Sequence, residues 1–495
     1  VNIHSDGIPS GELRGQLLGE AQNYFFSPLS GTSEQTPVNS EAFGGLAHEW
    51  LNGTLRSSGS FDQLSSAIDV SIAGGAHIHV GLAGQNGPLV FLLNSELFAG
   101  STSGEFRADS NVFALSSGQT VDTLLQRKFY VNLHTLNNQG GELRGQLLPP
   151  AQAYFTTTFA GKNETDPNNS SGVGALKAEL IKDTVLTISG AFSGLDGDFD
   201  VSIAGGAHIH AGTVGSNGGI ELLLNSELAG DLKSGSFEAD SNNFVITEAQ
   251  RDLLTTDALY GNIHTTSFAS GELRGQLLLE TNSFPDSAVS IIGPGGATTV
   301  CIEGDSATAF VATFDSTTDA DGNPLAYNWE LSAAADFSTT ILKVNVGQNT
   351  NFTSDFGTVD SILEAAGLNV GDSLLVYHRA TALDGAVCLV GAADSVFLKR
   401  GTITVNIETI PAEQVSIYPS PTINWISVDM QLDNARSVEL RLLSLDGKEI
   451  LYKKENILGG SLQTRIQLAS YPTGIYQLVL RDDLGRIHTR KIVKK

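Results

Sequence analysis

The 495-residue chain has two cysteines, 28 Lys and Arg against 54 Asp and Glu, and no long uncharged apolar run. Each shortage excludes something. A membrane-spanning helix needs about 20 consecutive apolar residues, and no stretch approaches that. The formal net charge of −26 sets aside nucleic acid and anionic membrane surfaces as partners, because like charges repel. Cys301 and Cys388 fall in one inferred domain, and neither has a His or basic cluster beside it. That argues against a catalytic thiol and makes one structural disulfide the simplest expectation for a secreted chain. No G-x-S-x-G elbow, no H-E-x-x-H and no carboxylate pair marked by spacing is found, so no catalytic residue is assigned. No segment keeps a long helical period.

What is present is repetition. "VNIHSDGIPSGELRGQLL", "VNLHTLNNQGGELRGQLL" and "GNIHTTSFASGELRGQLL" are one motif three times, with His4, His134 and His264 at intervals of 130 residues. Between them lie two copies of a longer unit carrying "SIAGGAHIH", "LLNSEL" and "F-x-AD-S-N". A period that long means tandem globular domains, since each unit is large enough to bury its own core. Val1 falls inside the repeated motif, so the chain reads as the C-terminal part of a longer protein. The expected domains are a truncated end at 1–19, complete repeats at 20–149 and 150–281, and two further modules at 282–410 and 411–495. Alternating apolar residues between Gly, Asn, Asp and Ser turns predict an all-β chain of antiparallel sandwiches or barrels.

Four of the ten histidines sit in "GGAHIHVG" and "GGAHIHAG". On a strand, residues i and i+2 share a face, so His77 and His79 point one way while Ala76, Ile78 and Val80 point the other. If the strand holding Asn132 and His134 is a neighbour, then His77, His79 and His134 form a three-imidazole set, repeated as His208, His210 and His264. Three neutral imidazoles suit copper or zinc. The competing reading, weighed ahead of it, is a satisfied polar network of these histidines with Asn132, Glu142 and Arg144, and with Asn262, Glu272 and Arg274 in the second copy, an Arg there discouraging a cation. His48, with Lys177 as its approximate counterpart, stands outside the repeated set.

"GGAHIHVGLAGQNGPLV" followed by "YVNLHTLNNQGGELRGQL" resembles the CHRD domain, a module named after the developmental protein chordin and also found in bacterial secreted proteins. The resemblance implies a secreted β-domain used in tandem and brings no established reaction. The order "HIH", "NLH", "GGELRGQL" is also similar to copper-zinc superoxide dismutases and their Greek-key fold, without the bridging histidine or the zinc loop those enzymes need.

From "IIGPGG" to about residue 410 the chain resembles immunoglobulin-like modules of the PKD and SusE type, with Leu325, Tyr327 and Trp329 alternating after a turn. Asp319, Asp321 and Asn323 offer oxygens to a calcium ion at alternate positions, with an Asx-rich turn as the rival reading and Pro324 where an EF-hand needs glycine. The last 85 or so residues resemble the type A sorting domain of the type IX secretion system: Tyr418, Pro419 and Pro421, the Asp446-Gly447 turn, Gly474 and Tyr476 in "PTGIY", and Lys491, Lys494 and Lys495 at the basic end. Ser420 departs from the usual Asn. This resemblance implies the secretion machinery as a partner and the outside of a Gram-negative bacterium as the location. The chain is therefore read as a secreted or cell-surface modular protein, binding an unknown extracellular protein or glycan without enzymatic activity; the alternative is a copper- or zinc-binding redox protein.

Overall fold

The computed structural model describes residues 1–9, 13–14, 17–115, 121–404, 409–432, 434–444, 448–457 and 459–495. The Asp446-Gly447 turn lies outside the described residues. The chain forms two compact units, one of residues 1–301, 310–354 and 365–399, the other of residues 302–309, 355–364 and 400–495. It is all-β: antiparallel strands dominate, and the described helices are Val121–Leu125, Glu248–Thr255 and Phe356–Ala365. None of these helices is long and apolar enough to cross a membrane.

Both repeats share one topology. In the first, the strand order is Leu89–Leu92, Ala76–Val80, Phe129–Leu133, Leu143–Gln146, Asn23–Ser30, Phe43–Leu51, Thr54–Asp62, Gly104–Phe106, Ser95–Leu97. The Arg144–Ser30 and Phe26–Leu148 bridges join the histidine-bearing half to the meander half. In the second repeat the halves are separate sheets, one led by Ile220–Leu223 and Ala207–Ala211, the other by Val173–Ile181 and Val185–Ser193. The matching bridge, Ala160 to Arg274, is isolated there.

Alternation fixes which face is core. Ala76 and Ile78 are fully buried among Phe25, Phe129, Val131 and Leu143, and Ala207 and Ile209 are buried in the same way among Phe155, Leu259, Ile263 and Leu273. A one-residue slip would carry the histidines into the apolar core, so the pattern pins the register. Register also corrects one pairing of positions. His48 pairs with Ser57 and Ala178 with Ile188, so Ala178, not Lys177, stands where His48 does. His48 is buried in hydrogen bonds to Ser27 (3.0 Å) and Ser57 (2.8 Å).

The expected disulfide is absent: Cys301 and Cys388 are free thiols. Cys301 lies on Thr298–Asp305, which neighbours Asp394–Thr404, whereas Cys388 starts a short strand paired with Ser373–Leu383. Strands that are not neighbours lie about 9 Å or more apart, beyond the roughly 7 Å between Cα atoms that a disulfide spans. In the same module Trp329, on Ala326–Ser332, stacks on Phe352 with centroids 4.4 Å apart and donates to His378 at 3.2 Å. The last domain has a three-stranded and a four-stranded sheet around Ile426, Val428, Leu440, Leu478 and Ile492.

Candidate functional site

The strand Ala76–Val80 lies between Leu89–Leu92 and Phe129–Leu133, pairing His77 with Asn132 and His79 with Tyr130. The register slips between Ile78 and His79 on the Leu89–Leu92 side, and between Ile209 and His210 in the second copy. A bulge of this kind re-aims a side chain. His134 follows the end of its strand, held by its backbone N–H on Gly75 O at 2.8 Å.

These elements bring His77, His79 and His134 together, with one ring nitrogen from each within 4.8 Å of the others, and do the same for His208, His210 and His264. The anchoring repeats as well. Nδ1 of His134 donates to Gln139 O at 2.8 Å and Nδ1 of His79 to Gly87 O at 2.8 Å; the counterparts are His264 to Ala269 O at 3.0 Å and His210 to Gly218 O at 2.9 Å. A carbonyl on Nδ1 fixes the tautomer and leaves Nε2 a lone pair. The Nε2 atoms of His79 and His210 are buried without a partner. The Nε2 atoms of His77 and His134 lie 2.9 Å apart, as do those of His208 and His264. Gly87 and Gly218 are required for this anchoring, because a Cβ there would stand 1.6 Å from the carbonyl of Val80 or Ala211.

The rings are neutral at pH 7. Burial, and then the neighbouring imidazoles, push His77 and His208 down to about 4. Burial also lowers His79, His134, His210 and His264. His77 and His134 are buried and His79 is half-buried, and the second trio has the same pattern.

The remaining predicted polar residues do not crowd the histidines, which corrects the expectation of one network. Glu142 accepts from Ser40, Ser65 and Thr135 at 2.6–2.8 Å and clamps the loops. Glu272 is held likewise by Ser170, Thr265 and the Asp196 and Gly197 amides. Arg144 runs over the Tyr130 ring, 3.6 Å from its centroid, to Leu82 O, Gln85 O and Asn86. Arg274 lies 3.4 Å over Tyr260 and reaches Thr213 O, Ser216 O and Asn217. Each tyrosine stacks on a histidine, Tyr130 on His79 and Tyr260 on His210, both with centroids 4.9 Å apart. The layer is therefore histidine, tyrosine, arginine, and the guanidinium is spent on loop carbonyls. Asn132 and Asn262 donate at 3.4 Å to Glu34 and Glu164, whose carboxyls burial lifts to about 7 and about 8 against the pull of Arg144 and Arg274. Tyr130, Tyr260, Glu34 and Glu164 were not singled out from sequence, although their recurrence at an interval of 130 was a usable signal.

Elsewhere the predicted residues scatter. Asp319 takes the Asp321 amide in an Asx turn, Asp321 takes both polar groups of Ser283, and Asn323 donates to Asp257. The Asn323 bond uses its Nδ2, while its Oδ1 and the second Asp319 oxygen are buried without a hydrogen-bond partner. In the last domain the Tyr418 hydroxyl donates to Asp429 and that of Tyr476 to Pro472 O, both at 2.6 Å. Peptides preceding Pro419 and Pro421 are cis. The basic end is the edge strand Ile487–Lys494, where Gly474 pairs with Lys494 and Gln477 with Lys491. Lys494 is buried, with its ammonium on Ala469 O and Tyr471 O, and Lys495 is exposed.

These features define a modular β-protein with a duplicated polar centre. Residues 25–147 and 155–277 match the CHRD domain family, and residues 416–495 match the secretion system C-terminal sorting domain. The chain is thus a tandem CHRD-domain protein that carries a type IX sorting domain, which directs it through that machinery to the cell surface or the medium. No curated protein matches. Solved structures similar in part include three fibronectin domains of chicken CNTN1 (13% identity, 65% of this chain and 97% of that one, TM-score 0.19). Others are two fibronectin type III domains of chicken tenascin (12%, 42% and 98%, 0.15) and latent PorU of Porphyromonas gingivalis (10%, 72% and 36%, 0.15). Scores this low carry no argument about fold or function.

Proposed function

We propose that each CHRD repeat is an extracellular module that binds one transition-metal ion, copper or zinc, through the Nε2 atoms of its three histidines. The observation that carries this is the convergence of three neutral imidazoles, two of them oriented by carbonyls on Nδ1, in both copies. Backbone partners of this kind raise ligand basicity and hold ring orientation. Tetrahedral zinc at about 2.0–2.1 Å from each nitrogen separates ligand atoms by about 3.3 Å. His77 and His134 need to part by only a few tenths of an ångström from 2.9 Å. An open fourth position lets the site take an external ligand, so binding a partner through the metal is the role favoured over a redox cycle.

Calorimetric titration of the full chain with zinc or copper(II) tests this, with His77→Ala/His208→Ala as the control. The expected result is saturable uptake lost in the control; uptake that the control retains overturns the reading. A second reading rests on the 2.9 Å contact itself, which is also the length of a hydrogen bond from His77 Nε2–H to His134 Nε2. On that reading the trio is structural, and the repeats act as adhesion or matrix modules that gain avidity by number. It predicts no metal uptake and a destabilised control.

A further inference from the structure

One loop builds the joint between the repeats. Gly84, at φ +82°, lies so close to the outer face of the second repeat that a Cβ would come 2.5 Å from Ala175 N and 2.6 Å from Ala191 O. Beside it Arg127 pairs with Glu179 at 2.7 Å and Lys128 with Glu238 at 2.9 Å. The second repeat applies the same loop to the next module. Gly215, at φ +73°, stands against Ala326 and Gly347, Val214 packs with Ala326 and Leu383, and Asp257, in the place of Arg127, accepts from Asn323 at 3.2 Å. A CHRD repeat therefore has a donor end and an acceptor face, and both donor ends in this chain are occupied.

One acceptor face is not. On the first repeat, Phe43–Leu51 and Thr54–Asp62 present an open groove of about 620 Å³ floored by Gly44, Gly45, Ala47 and Gly59. Gly45 and Gly59 hold the register positions of Ala175 and Gly190, the floor that takes the donor loop in the second repeat. Ala47 and Glu49 are half-exposed, whereas Lys177 and Glu179 at the same positions are buried. Of the two carboxylates that hold Arg127 and Lys128 on the second repeat, Glu179 has its counterpart in Glu49, whereas Arg107, flanked by Glu96 and Glu105 at 2.9 and 2.7 Å, takes the place of Glu238. Residues 1–18 repeat the closing motif of a CHRD domain, yet Val1, Ile3 and Leu17 are 70, 54 and 81% exposed where Val131, Leu133 and Leu147 are fully buried.

We infer that this groove is the acceptor for the donor loop of a further CHRD repeat, docked on the first repeat as the first is docked on the second. The tandem thus extends by translation, each repeat seating its glycine-bearing loop on the small-residue floor of the next. Small residues at 45 and 47 let backbone approach backbone, and Glu49 offers the donor loop the carboxylate that Glu179 offers Arg127.

The test uses the full chain with Ala47→Cys, with and without an extra copy of residues 20–149 inserted ahead of residue 20. Maleimide labelling at position 47 is followed by peptide mass. The extra copy is expected to slow labelling at least about tenfold by occluding the face. Adding Gly45→Arg in the acceptor, where a Cβ meets nothing closer than Ser27 O at 3.7 Å, is expected to restore fast labelling. Equal labelling with and without the extra copy overturns the inference, as does slowing that Gly45→Arg leaves intact.

Discussion

The two repeats are built alike where the histidines are and differently where the neighbours are. The Nε2 contact is 2.9 Å in both, the tyrosine stack 4.9 Å in both, and the arginine lies 3.6 and 3.4 Å over its ring. Beneath the meander they part: the first repeat buries His48 between Ser27 and Ser57, and the second has Ala178 opposite Ile188. Outside they part again, with an open glycine floor on one and the buried Lys177–Glu280 pair on the other. What both copies keep in spite of such drift is the layer of histidine, tyrosine and arginine, so function is read there. The differences govern stability and assembly.

Breaking the covered face has the largest expected effect. Lys177→Met leaves Glu280 buried without its cation, at a cost of about 3–5 kcal/mol to the second repeat. Ala47→Met at the matching open position costs next to nothing. Hydrogen exchange of residues 173–193 and 43–62 in the full chain measures both.

Acid separates the repeats next. Burial holds His48 at about 3 when folded, against about 6.5 in the unfolded chain. Its contribution is complete above about pH 6.5 and is lost as pH falls toward 3, so by pH 4.5 the first repeat loses about 3 kcal/mol that the second does not. His48→Ala removes that differential. Glu34 and Glu164, raised to about 7 and about 8, act in the opposite sense: their contribution is present below about 4.5 and is lost as pH rises through those values. Both repeats carry one, so they cancel at low pH. Local opening free energies from exchange at pH 7 and 4.5 read the difference.

Two smaller effects sharpen the comparison. Tyr130→Leu removes the ring between His79 and Arg144 and is expected to weaken zinc at the first site about tenfold, leaving the second untouched; titration resolves the two. Val214→Ala trims the apolar contact with Ala326 and Leu383 and is expected to loosen that joint by about 1 kcal/mol, seen as faster exchange at 382–386.

Much of this was legible in the sequence, for identifiable reasons. Period-2 alternation placed His77 and His79 on one face, and the 130-residue repeat linked them to His134 although 54 residues separate it from His79. Fold class followed from the alternation between turns, and the sorting domain from its own motifs around Tyr418-Pro419 and "PTGIY". The direction of Arg144 was not legible, because it depends on where the Leu82–Gln85 carbonyls turn, and strand alternation says nothing about loops. His48 stands opposite Ala178 rather than Lys177 because the ladder register, not polarity, sets the correspondence between the repeats. The cysteines were paired from compartment and count alone, and neither encodes which strands are neighbours.

The central claim is the three-imidazole metal centre, one per repeat. Mass-spectrometric metal counting on the full chain, after zinc or copper loading and removal of free ion, tests it most directly. The account predicts two ions per chain, one in either His79→Ala or His210→Ala, and none in the double variant. A folded chain that retains no ion, or a double variant that keeps both, would contradict it.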